Sequence, residues 1–344
     1  MKKNNALRRA AALMAALSIT VSLAAPAFAG TYYIDNGDIT VTKNADGSQT
    51  VEQNGTSNND SDEIIITTTG AAIGTLESDL EGPAAEDSGF GPVVEDNYQP
   101  AQPEDAEKPE GADQPESAEE AKSADQHESA EQAQPQQAAP AAAPAGATPV
   151  NPKDDGFWGN TITVINNIAD KVLNLTLKDV KIDVSDTGDV NHYGPDQRGK
   201  AALSVQGSGD VEIELDGKNE LKSGAHRAGL DKNTFDSTGT LTLKDDNKEA
   251  GSLKATGGVN GGAGIGGSFE EGTKNITITG GTVNAAGDWG GAGIGGGEGG
   301  NGEDITITGG TVTAAGSWGA AGIGGGERGN GEDITITDGT VNAA

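Results

Sequence analysis

The residues best suited to binding chemistry recur at one fixed spacing near the end of the chain. Trp289 and Trp318 are 29 positions apart, and each lies beside glycine. Two acidic pairs, Glu303–Asp304 and Glu332–Asp333, are separated by the same 29 positions. Residues that recur with a structural period stack above one another in a repeat protein. The sequence therefore predicts an aromatic ladder and an acidic ladder.

The aromatic ladder is the better candidate for ligand binding. An indole face suits the C–H face of a sugar ring, and two indoles in register would form a flat ridge along which sugar rings stack. Trp289 and Trp318 are therefore the candidate carbohydrate-binding residues. The alternative interpretation is structural: the rings pack on each other and cover a corner of the fold.

The acidic ladder suggests a cation. Carboxylates stacked about 4.8 Å apart repel one another unless a cation or solvent lies between them. The sequence GGNGED, which ends at Asp304, also resembles half of a calcium-binding nonapeptide, although Thr306 stands where that motif has an apolar residue. The candidate calcium ligands are Glu303, Asp304, Glu332 and Asp333. The alternative is a pair of solvated acidic turns.

No catalytic set can be assembled from the sequence. The chain has no cysteine, and its three histidines (His127, His192 and His226) lie far apart and are expected to be solvated surface residues. Glu303 and Asp304 are neighbours in a strand, so they would point to opposite faces rather than flank one bond. Residues 262–344 hold ten acidic and two basic residues, a balance that disfavours a lyase acting on uronates unless calcium substitutes for the missing cations. We expect no enzymatic activity.

The period of 29 residues decides the fold. Residues 262–290 and 291–319 are two copies of one sequence, and a third copy stops at its twenty-fifth position, which predicts a truncated C-terminus. Each copy contains three short strand-like runs separated by glycine-rich turns. Alternation along the second run places Ile276 inside and Thr277 outside. The sequence therefore predicts an all-β fold, a parallel β-helix (solenoid) with 29-residue coils of three strands each.

Composition divides the chain into four parts. Residues 1–29, with a basic start, an apolar run and a small-residue cleavage site, are a predicted signal peptide. Residues 30–70 are predicted to form β-strands that cap the solenoid. Residues 71–156, rich in Pro, Ala and Glu, are a predicted disordered acidic linker. Residues 157–344 are the predicted β-helix.

Charge narrows the choice of partner. The formal net charge of −31 repels phosphate backbones and anionic lipid, so we expect no nucleic-acid partner and no membrane insertion after signal removal. Neutral polymers, cations and cation-bridged anionic polymers remain. With the signal peptide, this predicts a secreted, extracellular protein, either free or associated with the cell surface.

Several runs carry a family resemblance. LNLTLKDVKI (173–182), DVEIELDGKNEL (210–221) and the repeated GAGIGG resemble the secreted carbohydrate-binding-domain-containing β-helix proteins of Firmicutes. The resemblance covers roughly residues 160–344. It implies a polysaccharide partner, a plant or cell-wall glycan that includes polygalacturonate, and bound calcium. It assigns no binding residue.

These observations predict a secreted or cell-surface polysaccharide-binding β-helix protein without catalytic activity. Two alternatives stay open at this point. One is a structural or adhesive surface repeat protein, and the other is a polysaccharide lyase or hydrolase.

Overall fold

The computed structural model describes residues 30–60, 63–69, 151–153, 156–192, 197–247 and 249–344. The predicted signal peptide and nearly all of the predicted acidic linker lie outside these ranges. Within them, no helix has the length and apolar character needed to cross a membrane.

The described residues form strands connected by short turns, with one 3₁₀ turn at Ile34–Asn36. In chain order the strands are β1 Gly30–Tyr33, β2 Ile39–Lys43, β3 Gln49–Gln53, β4 Thr56–Asp60, β5 Ile64–Thr67, β6 Ile162–Ile165, β7 Leu173–Lys178, β8 Lys181–Asp183, β9 Leu203–Gln206, β10 Val211–Lys222, β11 Leu230–Asp231, β12 Leu241–Lys244, β13 Gly251–Thr256, β14 Ile265–Gly266, β15 Thr273–Ile278, β16 Thr282–Ala286, β17 Ile294–Gly295, β18 Gly302–Ile307, β19 Thr311–Ala315, β20 Ile323–Gly324, β21 Gly331–Ile336 and β22 Thr340–Ala343.

The strands build three faces of a coil. One face runs β1-β5-β7-β10-β12-β15-β18-β21, and a second runs from β8 and β10 through β13, β16 and β19 to β22. The third runs β4-β3-β2-β6-β9-β11-β14-β17-β20. All pairings from β6 onward are parallel. The fold is therefore an all-β parallel β-helix, as the 29-residue period predicts.

Strand β10 belongs to two faces and shows how a corner is made. Its first half pairs with β7 and β12, and its second half pairs with β8 and β13. Gly217 lies between the halves with φ 62°, a left-handed conformation that glycine adopts without strain. A side chain there would also collide with the Asp179 carboxylate. The glycine therefore lets one strand turn from the first face to the second.

Identical residues stack inside and outside the regular coils. Ile276, Ile305 and Ile334 are register partners on the first face, with Thr277 paired to Thr306 on its outer side. Ile276 and Ile305 are fully buried. Each fully buried isoleucine contributes about 1.5–3 kcal/mol relative to an exposed one. The predicted alternation of buried isoleucine and outward threonine is confirmed.

The N-terminal strands stack on the first coil of the solenoid. Strand β5 pairs in parallel with β7, and β2 pairs in parallel with β6, while β3 and β4 continue the third face as an antiparallel hairpin. The buried Asn160 amide donates a hydrogen bond of 2.8 Å to the Ile34 carbonyl. Residues from both sides of the acidic segment therefore share one core.

Candidate functional site

The two tryptophans of the regular coils form a stacked pair. Their ring centroids are 4.5 Å apart and their planes are inclined by 24°. Trp289 is 45% exposed and Trp318 is 68% exposed. The prediction that they lie one above the other is confirmed, and the pair is called the tryptophan ladder below.

The ladder is positioned by a tight turn that repeats in each coil. The Gly291 N–H donates to the Asp288 carbonyl at 2.9 Å, and the Ala320 N–H donates to the Ser317 carbonyl at 3.1 Å. Inside these turns both tryptophans have positive φ, 37° for Trp289 and 50° for Trp318. Asn or Gly adopts this conformation with less strain than a bulky residue. Strain of this kind is a reason to suspect function at the position.

The stacking geometry changes one detail of the expected site. The two rings face each other, so the predicted flat ridge is wrong in one respect: the facing sides of the two indoles cover each other. The surface that a ligand could contact is the part of each ring that stacking leaves exposed. The exposed fractions of Trp289 and Trp318 show that this area is large.

Two glutamate side chains lie beside the glycine that follows Trp289. The Glu327 N–H donates to the carbonyl of Gly290, the residue after Trp289, at 2.7 Å. A side chain at Gly290 would meet carbon atoms of Glu298 and Glu327 within 3.1 to 3.3 Å. The glycine after the tryptophan therefore leaves space for two glutamate side chains from successive coils.

A third carboxylate and a single guanidinium complete this corner. Burial raises the pKa of Asp288, while a hydrogen bond from the Asn260 backbone N–H acts in the opposite direction. Arg328 lies 3.4 Å from a Glu298 oxygen and 3.3 Å from a Glu327 oxygen, with its own side chain 72% exposed. The tryptophan ladder, Asp288, Glu298, Glu327 and Arg328 together are the candidate binding corner.

The acidic turns adopt a register that sequence alternation does not predict. Glu303 pairs with Glu332 in the ladder and also lies above Lys274 of the preceding coil. Asp304, with φ 50°, falls outside the paired positions, and both Glu303 and Asp304 are on the outer surface. The expectation that they point to opposite faces is wrong, because a left-handed residue bulges the strand and resets the alternation.

A metal centre does not emerge from these turns. Across the described ranges, no group of three or more His, Cys, Asp or Glu side chains is arranged to hold a metal ion. The Glu303 carboxylate accepts a hydrogen bond from the Asn301 amide at 3.3 Å. Calcium held by Glu303, Asp304, Glu332 and Asp333 stays a prediction from the sequence.

The structure assembles an ionic cluster that the sequence does not reveal. Asp231, which is 1% exposed, pairs with Arg227 at 3.0 Å and accepts a hydrogen bond from the Ser268 hydroxyl at 2.9 Å. Glu271 pairs with Arg198, whose guanidinium also donates to the Phe269 carbonyl at 2.9 Å. The cluster links three successive coils through side chains.

Burial dominates the electrostatics of this cluster. It raises the pKa of Asp231, with the Arg227 charge acting in the opposite direction. It also raises the pKa of Glu271, where the hydrogen bond from Arg198 opposes the shift and the Asp231 charge adds to it. The second oxygen of Glu271 (Oε2) is buried without a hydrogen-bond partner in the described structure. Two buried carboxylates therefore share two arginines.

Of the two described histidines, His192 is exposed as predicted, whereas His226 is not. His226 is 1% exposed rather than solvated. One ring nitrogen lies 3.0 Å from the Asn260 carbonyl, and the other lies 3.1 Å from the carbonyls of Asp189 and His192. The His226 ring therefore contacts the backbone of His192, although the two residues are distant in sequence. The third histidine, His127, lies outside the described residues.

Comparison with known proteins supports the repeat assignment. The family model of the beta helix repeat matches residues 276–298 and 305–327. Each match begins at a buried ladder isoleucine and ends at a glutamate of the candidate binding corner, so it spans one tryptophan. Searches of curated proteins and of solved structures found no match. The chain therefore folds as a parallel β-helix whose regular coils match this repeat.

Proposed function

We propose that this protein is a secreted or cell-surface polysaccharide-binding β-helix protein without catalytic activity. The observation that carries the proposal is the tryptophan ladder. Its two indoles are 45% and 68% exposed, and they are held outward by left-handed backbone at equivalent turns. A large aromatic surface of this kind, bordered by polar groups, suits the apolar face and the hydroxyls of a sugar.

The repetition of the site supports a polymeric ligand. Parallel pairing brings successive coils into register about 4.8 Å apart, so equivalent positions, among them Trp289 and Trp318, recur along the solenoid axis. The acids of the candidate binding corner can accept hydrogen bonds from hydroxyl groups. A linear chain of sugars can therefore contact more than one coil at once.

The environment of the buried acids supports the non-catalytic part of the proposal. Asp231 is 1% exposed and Glu271 is 7% exposed, and an arginine is paired with each. Asp231 also accepts a hydrogen bond from the Asn233 amide at 3.0 Å. A glycosidic bond would have to displace these contacts to reach either carboxylate. The cluster serves as a link between coils.

A structural role is the second candidate, and the stacking itself favours it. Rings with centroids 4.5 Å apart stabilise each other, which is the contact expected of a ladder that joins neighbouring coils. A structural or adhesive repeat protein would need no sugar at this corner. The two candidates predict different outcomes for the same substitutions.

Single substitutions at the ladder test the proposal. We expect Trp289→Ala and Trp318→Ala each to weaken binding of the folded protein to a glycan identified on a glycan array by about 1–2 kcal/mol, because each removes one aromatic contact. Affinity is measured by calorimetry and the melting temperature by circular dichroism. Phe235→Ala is the matched control, because Phe235 is 75% exposed and lies outside the candidate binding corner. Lowered melting temperature with unchanged affinity would instead support the structural role.

A further inference from the structure

We propose that the candidate binding corner selects a polysaccharide whose sugars carry free amino groups. This inference rests on the proposed function and specifies the ligand class of the same site. It combines the exposed indoles with the net negative charge of the same corner, which holds three carboxylates and one guanidinium.

The first step is the charge of the corner. Glu298 and Glu327 lie beside Gly290, Asp288 lies in the same turn, and among the described residues Arg328 is the basic side chain that pairs with the two glutamates. Lys274 and Arg328 are the two basic residues of the regular coils, against ten acidic residues in residues 262–344. The corner is therefore complementary to a cationic ligand and repels an anionic one.

The second step is the state of Glu298. Its side chain is 14% exposed, so most of its surface is covered by neighbouring residues. Among the described side chains its ion-pair partner is Arg328, at 3.4 Å. Charge-assisted hydrogen bonds to a carboxylate are normally shorter than this contact, so Arg328 leaves room for a stronger donor. A ligand ammonium can supply such bonds, because it carries three donors.

The third step is the position of Arg328. Its guanidinium shows that the space beside Glu298 and Glu327 accommodates a cation at the surface. The arginine is 72% exposed, so a ligand can displace it at little cost. One coil earlier, 29 residues back, the corresponding position is Gly299, which leaves the space beside Glu298 without a cation from that coil.

The fourth step concerns the ligand implied by the family resemblance. Polygalacturonate is a polyanion, and the acids of this corner face it with one exposed arginine for compensation. Like charges brought together at a binding site cost several kcal/mol. The corner therefore favours an amino-sugar polymer over a polyuronate.

A matched pair of ligands tests the inference. Glucosamine hexamer and N-acetylglucosamine hexamer share one backbone and differ by the charged amine. We expect the full secreted chain to bind glucosamine hexamer about tenfold more tightly at low salt, the size of one good charge-assisted hydrogen bond. The preference should shrink as sodium chloride is raised, because mobile ions screen exposed charges. Oligogalacturonate of the same length should bind most weakly.

Variants of the acids and the arginine locate the effect. Glu298→Gln and Glu327→Gln should each weaken binding of glucosamine hexamer more than binding of N-acetylglucosamine hexamer, because the amide keeps a hydrogen-bond acceptor but loses the charge. Glu332→Gln is the control, because it removes one exposed acid from the acidic turn instead. Arg328→Gly, which copies Gly299, should strengthen binding of glucosamine hexamer. Melting temperatures confirm that each variant is folded.

The outcomes separate the inference from the proposed function. Equal, tryptophan-dependent affinity for the two hexamers would overturn the amine inference and leave polysaccharide binding intact. Tighter binding of oligogalacturonate would also overturn it. An amine preference that persists in both glutamine variants would place the cation elsewhere and refute this assignment. Absence of binding to every glycan on an array would refute the proposed function itself.

Discussion

At the scale of single residues, Lys232 is the clearest electrostatic cost in the fold. Its side chain is fully buried and its ammonium has no hydrogen-bond partner in the described structure. Burial lowers the pKa of Lys232 to about 8, with the Lys274 charge adding to the shift and the Asp210 charge opposing it. The folded state therefore holds this proton less tightly than the unfolded chain, whose lysine pKa is about 10.5.

This cost has a definite pH dependence. Below pH 8 Lys232 is charged in both states and the penalty is complete. Between pH 8 and 10.5 the unfolded chain keeps the proton that the folded protein has lost, so the free energy of unfolding rises with pH. We expect Lys232→Met to raise the free energy of unfolding at pH 7 by about 3 kcal/mol and to flatten that rise. Urea denaturation at pH 7 and pH 10 measures both effects. Lys254→Met, at an exposed position, should change neither.

At the scale of strands and turns, the ionic cluster joins three coils whose sequences are not exact copies of one another. Arg198 lies before β9 and Glu271 lies before β15, and their ion pair crosses the intervening coil that contains Asp231. Removing one partner of such a buried pair leaves an uncompensated charge. Removing one partner is therefore expected to cost more stability than the intact ion pair contributes.

A double-mutant cycle tests this link. Arg198→Met should destabilise the protein by about 3 kcal/mol at pH 7, because Glu271 keeps its charge without a partner. Adding Glu271→Gln should recover most of the loss, so the two changes will not be additive. Since burial raises the pKa of Glu271, acidification through that folded pKa should also reduce the cost of Arg198→Met. A loss that is additive and independent of pH would refute the link.

The same elements show what the sequence can and cannot predict. The spacing of Ile276, Ile305 and Trp289, Trp318 predicts the regular coils and the ladder, because an exact period specifies register without further information. In the coils upstream of the regular repeats, the register partners Leu203, Leu230 and Ile265 are separated by 27 and 35 residues. The register of these strands can be inferred from the sequence, but loops of different length separate them, so the loop contacts of Arg198 and His226 could not be derived.

At the scale of the whole molecule, the solenoid is built from two parts of the chain. Strands β2 and β5 precede the acidic segment, and their partners β6 and β7 follow it. Ile39, Ile64 and Ile66 are buried in the common core. Strand-like composition predicted the first part, but its pairing across the acidic segment depends on tertiary contacts that no local pattern carries.

This arrangement predicts that the two parts stay together after the chain between them is cut. A protease site placed at residues 110–115 should be cleaved without release of the N-terminal fragment, because parallel ladders and buried isoleucines hold it to the solenoid. Native mass spectrometry and gel filtration measure the association. The matched variant Ile66→Asp places an unpaired charge in the core and should release the fragment, whereas Thr40→Asp, at a less buried position of β2, should not. Separation of the fragments in the otherwise unsubstituted protein would show that the N-terminal strands are not an integral part of the β-helix.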